Sequence, residues 1–444
     1  MNDKEKQNSE QKPVWGIAKE INSENSGKIY LPEGNFHTVV FGQTGSGKTE
    51  SVLLQFWKYK DIITVIDGKG EVEAMLTAKL LRPSAVFYTF DSEFNLFKGL
   101  KPKEITELVS NALYPKEITT SEYFYKNFSI QALSFVLKYM DNPTFEKIFI
   151  SLFKENLAGL YSKFYQPKKT VKTKEKNKQD STAMLVNEFS KIKEISEDDT
   201  LTVTEKEKLL SKAEELIVGG IIKNPHYESY IAGFMDNLQP FALANNLNNE
   251  DAPNISLSDC NWFSLRNIKE ENDLGRMIIE NFRLRKPKEP DYNVTLCIDE
   301  FADMMFSAFT KIIKEIRSFG LQLVLLTQTL SDADRFDRNL LDIVFGNSDN
   351  KIFFKQDTLR NKEISELFGT DLYHHESKTI DNTGTKVNSM SETRDYNVQP
   401  YMFGELLPGH AIAKLMIPDK ELGIAAVKYL KIKFNNLKIE RNRN

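Results

Sequence analysis

Residues 36–49, FHTVVFGQTGSGKT, decide the fold. The first six are mostly β-branched and aromatic, which predicts a buried strand. The next eight match the pattern G-x-x-x-x-G-K-[S/T] at every constrained position. Residues 51–59 then carry apolar side chains at helical spacing. A strand, a glycine-rich turn and a helix in this order are typical of a loop that holds phosphate groups.

The residue types of this loop suit the phosphates of a nucleotide. Glycines adopt backbone angles closed to other residues, so consecutive N–H groups can turn toward phosphate oxygens at the start of a helix. We expect Lys48 to bridge the β- and γ-phosphates and the Thr49 hydroxyl to bind Mg²⁺. ATP and Mg²⁺ are therefore the expected cofactors. The predicted nucleotide-binding residues are Gly42, Gln43, Thr44, Gly45, Ser46, Gly47, Lys48 and Thr49.

Strand-like and helical runs alternate on both sides of a long interruption. The strand-like runs are residues 62–66, 85–90, 261–265, 293–298, 321–327 and 351–355. This alternation predicts an α/β fold with a mainly parallel sheet.

The interruption predicts a second domain. Strand-like runs nearly vanish after residue 101 and amphipathic helical patterns dominate. We expect four segments: a flexible N-terminal segment at 1–33, a nucleotide-binding domain in two parts at 34–101 and 255–444, and an inserted all-α domain at 102–254.

Composition limits the possible partners and setting. The 59 basic and 63 acidic residues give a net charge of −4, which excludes a surface coated with nucleic acid. A basic run at 168–178, KKTVKTKEKNK, is either a solvated loop or a contact with nucleic-acid phosphates. Two cysteines exclude a disulfide scaffold and favour a reducing interior. No apolar run approaches the roughly 18–20 residues that cross a bilayer.

Asp299 and Glu300 are the predicted acidic pair of the site. They follow the apolar strand VTLCI, residues 294–298. A phosphate-binding loop needs a carboxylate at the end of a neighbouring strand to hold Mg²⁺, which we assign to Asp299. Glu300 would then orient and deprotonate the attacking water, which favours hydrolysis over transfer to an acceptor. The alternative for two consecutive acids is a surface turn.

Two further side chains lie downstream. Gln328 ends the strand LQLVLLT, where open α/β sheets place their ligands, and it would either sense the γ-phosphate or cap the next loop. Arg317 lies late in a predicted helix, either as a solvated charge or as a cation that reaches a neighbouring subunit's nucleotide. His374 and His375 lack a third ligand at metal-binding spacing, so we interpret them as structural or surface residues.

Taken in order, these motifs resemble the TraG/TraD-type coupling proteins of conjugation and type IV secretion. The matching segments cover most of residues 36–415. They include GQTGSGKT (42–49), TVIDGKGE (64–71), similar to the family's D-x-K-G-E, IDEFADM (298–304) and IRSFGLQLVLLTQTL (316–330). The chain departs from the family pattern in two respects: Leu96 replaces the proline of a common F-N-P, and no transmembrane helices precede the first domain. It would be either a member recruited by a membrane partner or a sequence that begins after an anchor.

The resemblance implies a RecA-like ATPase related to the FtsK and HerA DNA pumps. By its spacing before Gln328, Arg317 would be the arginine finger, and the active form would be a homo-hexamer. The implied function is an ATP-driven motor that moves DNA, single-stranded and bound to a relaxase, into a conjugative channel. The implied partners are relaxosome proteins and membrane-embedded channel subunits, with the chain in the cytoplasm at the inner face of the membrane. The rival hypotheses are a nucleotide-gated adaptor that never translocates and a FtsK- or HerA-like pump in another pathway.

Overall fold

The computed structural model of the chain describes most of its length. The described residues are 13–21, 23–24, 26–32, 36–89, 91–116, 120–165, 185, 195, 202–256, 259–265, 271–285, 294–315, 320–334, 337–356, 359–380, 386–419 and 424–435.

Within these residues the strands form one sheet of eleven and one hairpin. The strands are β1 Val14–Glu20, β2 Ser26–Tyr30, β3 Thr38–Phe41, β4 Ile62–Asp67, β5 Val86–Tyr88, β6 Asn261–Ser264, β7 Val294–Asp299, β8 Leu321–Thr327, β9 Asn350–Phe353, β10 Thr370–Ile380, β11 Lys386–Tyr396, β12 His410–Asp419 and β13 Ile424–Phe434.

The large sheet is parallel through its centre. Its order is β2-β1-β13-β12-β9-β3-β8-β7-β4-β6-β5, and every pair from β9 to β5 is parallel. All residues of β3, β7 and β8 are buried. Parallel strands are covered by helices on both faces, which explains why these strands are mostly apolar along their whole length. The predicted mainly parallel sheet is confirmed.

The antiparallel edge contains an unexpected element. The expectation of a flexible segment at 1–33 is wrong for β1 and β2, because β1 pairs with both β2 and β13. The Trp15 side chain of β1 is fully buried and packs against Phe56 and Phe434, with ring centroids 5.9 and 4.9 Å away. Burial of this large ring holds the N-terminal strand on the sheet.

The described helices fall into two groups, those covering the sheet and those inserted between β5 and β6. They are α1 Leu54–Tyr59, α2 Val72–Leu81, α3 Pro102–Leu113, α4 Thr120–Lys138, α5 Phe145–Ser151, α6 Lys154–Phe164, α7 Val203–Lys223, α8 Tyr227–Ala242, α9 Glu271–Arg285, α10 Phe309–Glu315, α11 Leu330–Asp334, α12 Arg338–Asn347 and α13 Asn361–Glu366.

The inserted helices are α3 to α8, and β5 and β6 pair directly despite them. Arg283 of α9 bonds Glu107 of α3 at 2.5 Å, which ties the insertion to the sheet's own helices. The domain boundaries named above stay a prediction. Among the helices described, none is long and apolar enough to cross a membrane.

Candidate nucleotide site

The phosphate-binding loop joins β3 to a helix that begins with one π-helical turn, Thr49–Leu53, and continues as α1. Gly42 and Gly47 are required by close contacts. A Cβ on Gly42 would lie 2.6 Å from Ser46 Oγ, and one on Gly47 would lie 2.8 Å from Gly409 N. Gly47 also has a φ of +98°, which disfavours any side chain. The sequence folds here as a tight loop only because these positions lack side chains.

Lys48 lies inside the loop. Its ammonium donates hydrogen bonds to the carbonyl oxygens of Gly42 and, at 3.4 Å, of Gln43. Burial, together with the nearby charge of Lys69, lowers the pKa of Lys48. An ammonium that donates to backbone carbonyl oxygens can donate to phosphate oxygens in their place.

Two buried carboxylates lie beside the loop. β4 and β7 are neighbours in register, with Asp67 opposite Asp299. Burial, with the charge of Glu300, raises the pKa of Asp299 to about 6. Burial, with the charge of Asp299, raises the pKa of Asp67 to about 7. Each of these carboxylates is buried beside another acid, Asp299 beside Glu300 and Asp67 beside Asp299, so a bound cation would lower the cost of their charges.

The donors present fit Mg²⁺ bound together with phosphate. Asp67 Oδ1 accepts a hydrogen bond from Gly70 N at 2.8 Å, whereas Asp67 Oδ2 is buried without a hydrogen-bond partner in the described part of the chain. No cluster of three or more His, Cys, Asp or Glu side chains there could hold a metal ion. Mg²⁺ commonly takes one or two carboxylates and completes its shell with phosphate and water, which suits Asp299 with the Thr49 hydroxyl.

Glu300 is held in an unusual conformation. Its φ of +54° is rare outside glycine, and such backbone strain clusters at functional sites. Glu300 Oε1 lies 2.6 Å from Lys69 Nζ and accepts a second hydrogen bond from Gln328 Nε2 at 3.2 Å. Gln328 Oε1 in turn accepts from Thr44 Oγ1 at 3.4 Å. A continuous chain of polar contacts therefore links the phosphate-binding loop to the acidic pair.

The structure brings most of the predicted site residues to one place. The ends of β3, β7 and β8 carry the loop, the acidic pair and Gln328 to the same edge of the sheet. Gln328 contacts both the loop and Glu300. Arg317 and the basic run 168–178 lie outside the described residues, as do the side chains of His374 and His375. The role of each residue stays a prediction.

Sequence reasoning gave no site role to Asp67 and Lys69. Both lie in the segment TVIDGKGE, which the sequence alone marks as similar to a family motif without indicating what its residues do. The available signal was an acid at the end of an apolar strand, followed by Gly68-Lys69-Gly70. That signal resembles the one that identified Asp299.

Comparisons with known proteins bear on this arrangement. Residues 293–416 match the family described as the TraM recognition site of TraD and TraG. The predicted TraG/TraD resemblance is confirmed. That match runs from the start of β7 to residue 416 within β12, and so includes the acidic pair and Gln328. A search of curated proteins with this sequence returns no match.

Solved structures show the same fold. The unbound bacterial conjugative coupling protein TrwB, lacking its first 70 residues, is 12% identical, with a TM-score of 0.58 over 96% of this chain and 89% of that one. TrwB in complex with ADP and Mg²⁺ is 13% identical, with a TM-score of 0.56 over 92% of this chain and 87% of that one. The chain therefore has the RecA-like P-loop fold that its motifs predicted.

Proposed function

We propose that this chain is a coupling protein that hydrolyses ATP to move DNA, or a relaxase–DNA complex, into a conjugative type IV secretion channel. The observation that carries the proposal is the contact chain Thr44–Gln328–Glu300, which joins the phosphate-binding loop to a candidate general base. The match to a TraM recognition site and the fold shared with TrwB support the conjugative setting.

The residues divide the chemistry as follows. The loop amides of 42–49 and Lys48 hold the phosphates, while Thr49 and Asp299 would hold Mg²⁺. When bound there, Mg²⁺ would neutralise charge that develops on the phosphate oxygens. Glu300 orients a water and takes its proton, which typically accelerates such a step by about 10²–10⁴-fold. Gln328 lies between the phosphate-binding loop and Glu300, where it would sense whether a γ-phosphate is bound.

A ring of six subunits completes the proposed machine. Arg317 would reach the nucleotide of the next subunit and stabilise the charge of the transition state. A ring also concentrates a few lysines in its channel, so an acidic chain can still bind DNA. The proposed DNA is single-stranded, the proposed partners are relaxosome proteins and membrane-embedded channel subunits, and the site of action is the cytoplasmic face of the membrane.

The test is ATP hydrolysis measured with single-stranded DNA, duplex DNA or no DNA at increasing salt. We expect DNA to stimulate hydrolysis and the stimulation to fade with salt, because phosphate contacts release counterions. An absent or salt-independent effect contradicts a DNA substrate.

Glu300→Gln is the matched variant, and it should lower hydrolysis by at least about 100-fold while nucleotide binding remains. If this variant loses hydrolysis but still supports DNA transfer in cells, the chain is a nucleotide-gated adaptor and not a motor.

A further inference from the structure

Lys69 holds one oxygen of the proposed general base. Its Nζ lies 2.6 Å from Glu300 Oε1, and both side chains are mostly buried, at 22% and 10% exposure. The same Oε1 also accepts the Gln328 hydrogen bond. With two donors on this oxygen, the Glu300 carboxylate is held in one orientation, turned toward Lys69 and Gln328.

A rigid turn positions Lys69. Asp67 Oδ1 accepts a hydrogen bond from Gly70 N at 2.8 Å, and Gly70 has a φ of +56°. A Cβ on Gly68 would lie 3.0 Å from the Asp299 carbonyl oxygen, so the turn lies directly against the end of β7. Lys69 is therefore presented to the acidic pair by the backbone of a neighbouring strand.

Lys69 is also a neighbour of Lys48, and each feels the charge of Asp299 and Glu300. Two ammonium groups beside one another are stabilised by an anion placed between them. A terminal phosphate offers more charge to Lys69 than a single carboxylate does, so arriving ATP competes with Glu300 for it.

We propose that Lys69 is a phosphate-sensing latch: it holds Glu300 in the nucleotide-free chain and exchanges that carboxylate for the terminal phosphate of a nucleoside triphosphate. The exchange releases the Glu300 carboxylate from Lys69, so that it can turn toward a water, only when a triphosphate is present. A nucleoside diphosphate lacks the γ-phosphate that competes with Glu300, so it leaves the Lys69–Glu300 ion pair in place. This inference rests on the proposed ATPase function and adds a residue that sequence reasoning left without a role.

The test is the affinity of the intact chain for a non-hydrolysable ATP analogue and for ADP, both with Mg²⁺, measured by direct binding. Lys69→Met should weaken binding of the triphosphate analogue by about tenfold or more, the loss expected for one hydrogen bond to a charged group, and leave ADP binding nearly unchanged. Lys69→Arg should restore most of the discrimination, because it keeps the charge.

Lys79→Met is the control, since Lys79 is an exposed lysine on α2 and its loss removes the same charge. Melting temperatures of all variants establish that each chain is folded. An unchanged ratio of ATP-analogue to ADP affinity in folded Lys69→Met overturns the latch while the ATPase proposal stands. Wild-type chain that binds neither nucleotide overturns both.

Discussion

At the residue scale, Lys351 is a buried lysine of the large sheet, and its surroundings change its pKa. It lies in β9, beside β3, and its side chain donates to the carbonyl oxygen of Ser348. Lys414 of β12 is its partner in the antiparallel pairing. Burial and the charge of Lys414 lower the pKa of Lys351 to about 8, while Asp349 opposes the shift. The folded chain therefore holds this proton less tightly than the unfolded chain does.

This shift predicts that the free energy of unfolding contains a term that rises with pH between about 8 and 10.5. In that window the unfolded chain binds a proton at Lys351 that the folded chain lacks, which contributes up to about 1.4 kcal/mol per pH unit. Urea unfolding of wild type and Lys351→Met at several pH values measures it. The wild-type curve should rise more steeply, and Lys79→Met should follow wild type. Equal slopes for wild type and Lys351→Met would contradict the assignment.

Sequence reasoning identifies those candidate site residues that are marked by their immediate neighbours along the chain. The loop of 42–49, Asp299 and Gln328 each follow an apolar strand directly, so the chain itself indicates that they lie at a sheet edge. The placement of Asp67 opposite Asp299 depends on β4 lying next to β7, which is far away along the chain. No local pattern indicates strand order, and none predicts the positive φ of Glu300.

At the scale of the element, β1 supports the helix that follows the phosphate-binding loop. Trp15 Nε1 donates to the carbonyl oxygen of Ser51 at 2.7 Å, within the turn that begins at Thr49. No pattern in residues 1–33 predicts this contact, because the segment is largely polar and a short strand with one large aromatic side chain lacks a strong signal. Tertiary packing against Phe56 and Phe434 orders it.

Trp15→Ala should destabilise the chain by about 3–5 kcal/mol, because it empties a fully buried site, and should also weaken nucleotide binding. Trp15→Phe keeps most of the packing but loses the N–H donor, so a smaller loss of roughly 1 kcal/mol is expected. Thermal unfolding with and without ATP and Mg²⁺ measures both effects. Ile17→Ala is the control, since Ile17 is 52% exposed on the same strand. A Trp15→Ala chain as stable as Ile17→Ala would show that β1 is dispensable.

At the scale of the whole molecule, the proposed ring places one ATP site between two subunits. Lys48 of one subunit and Arg317 of its neighbour would serve the same nucleotide. This arrangement is implied by the family resemblance, and Arg317 itself lies outside the described residues. A site built from two subunits predicts that two inactive variants can complement each other, which a site built within one subunit does not predict.

Lys48→Met and Arg317→Ala should each lose hydrolysis when assembled alone. Mixing the two variants should restore part of it, because some interfaces then combine an intact Lys48 with an intact Arg317. Hydrolysis after mixing, with particle size measured in parallel, tests this. Each variant carried alone through the same mixing procedure is the control. If mixed rings form and remain inactive, Arg317 does not act across the interface.

The position of β3 has a consequence for how the chain emerges from the ribosome. Within the described residues β3 pairs with β8 and β9 alone, and both follow residue 320. The strand that carries the phosphate-binding loop therefore lacks these hydrogen-bonding neighbours for most of the synthesis of residues 1–444. At about 5–20 residues per second, the wait is on the order of tens of seconds. During that time a strand that is fully buried in the folded chain lacks its partners, so we expect chaperones to protect it until the last part of the sheet is synthesised.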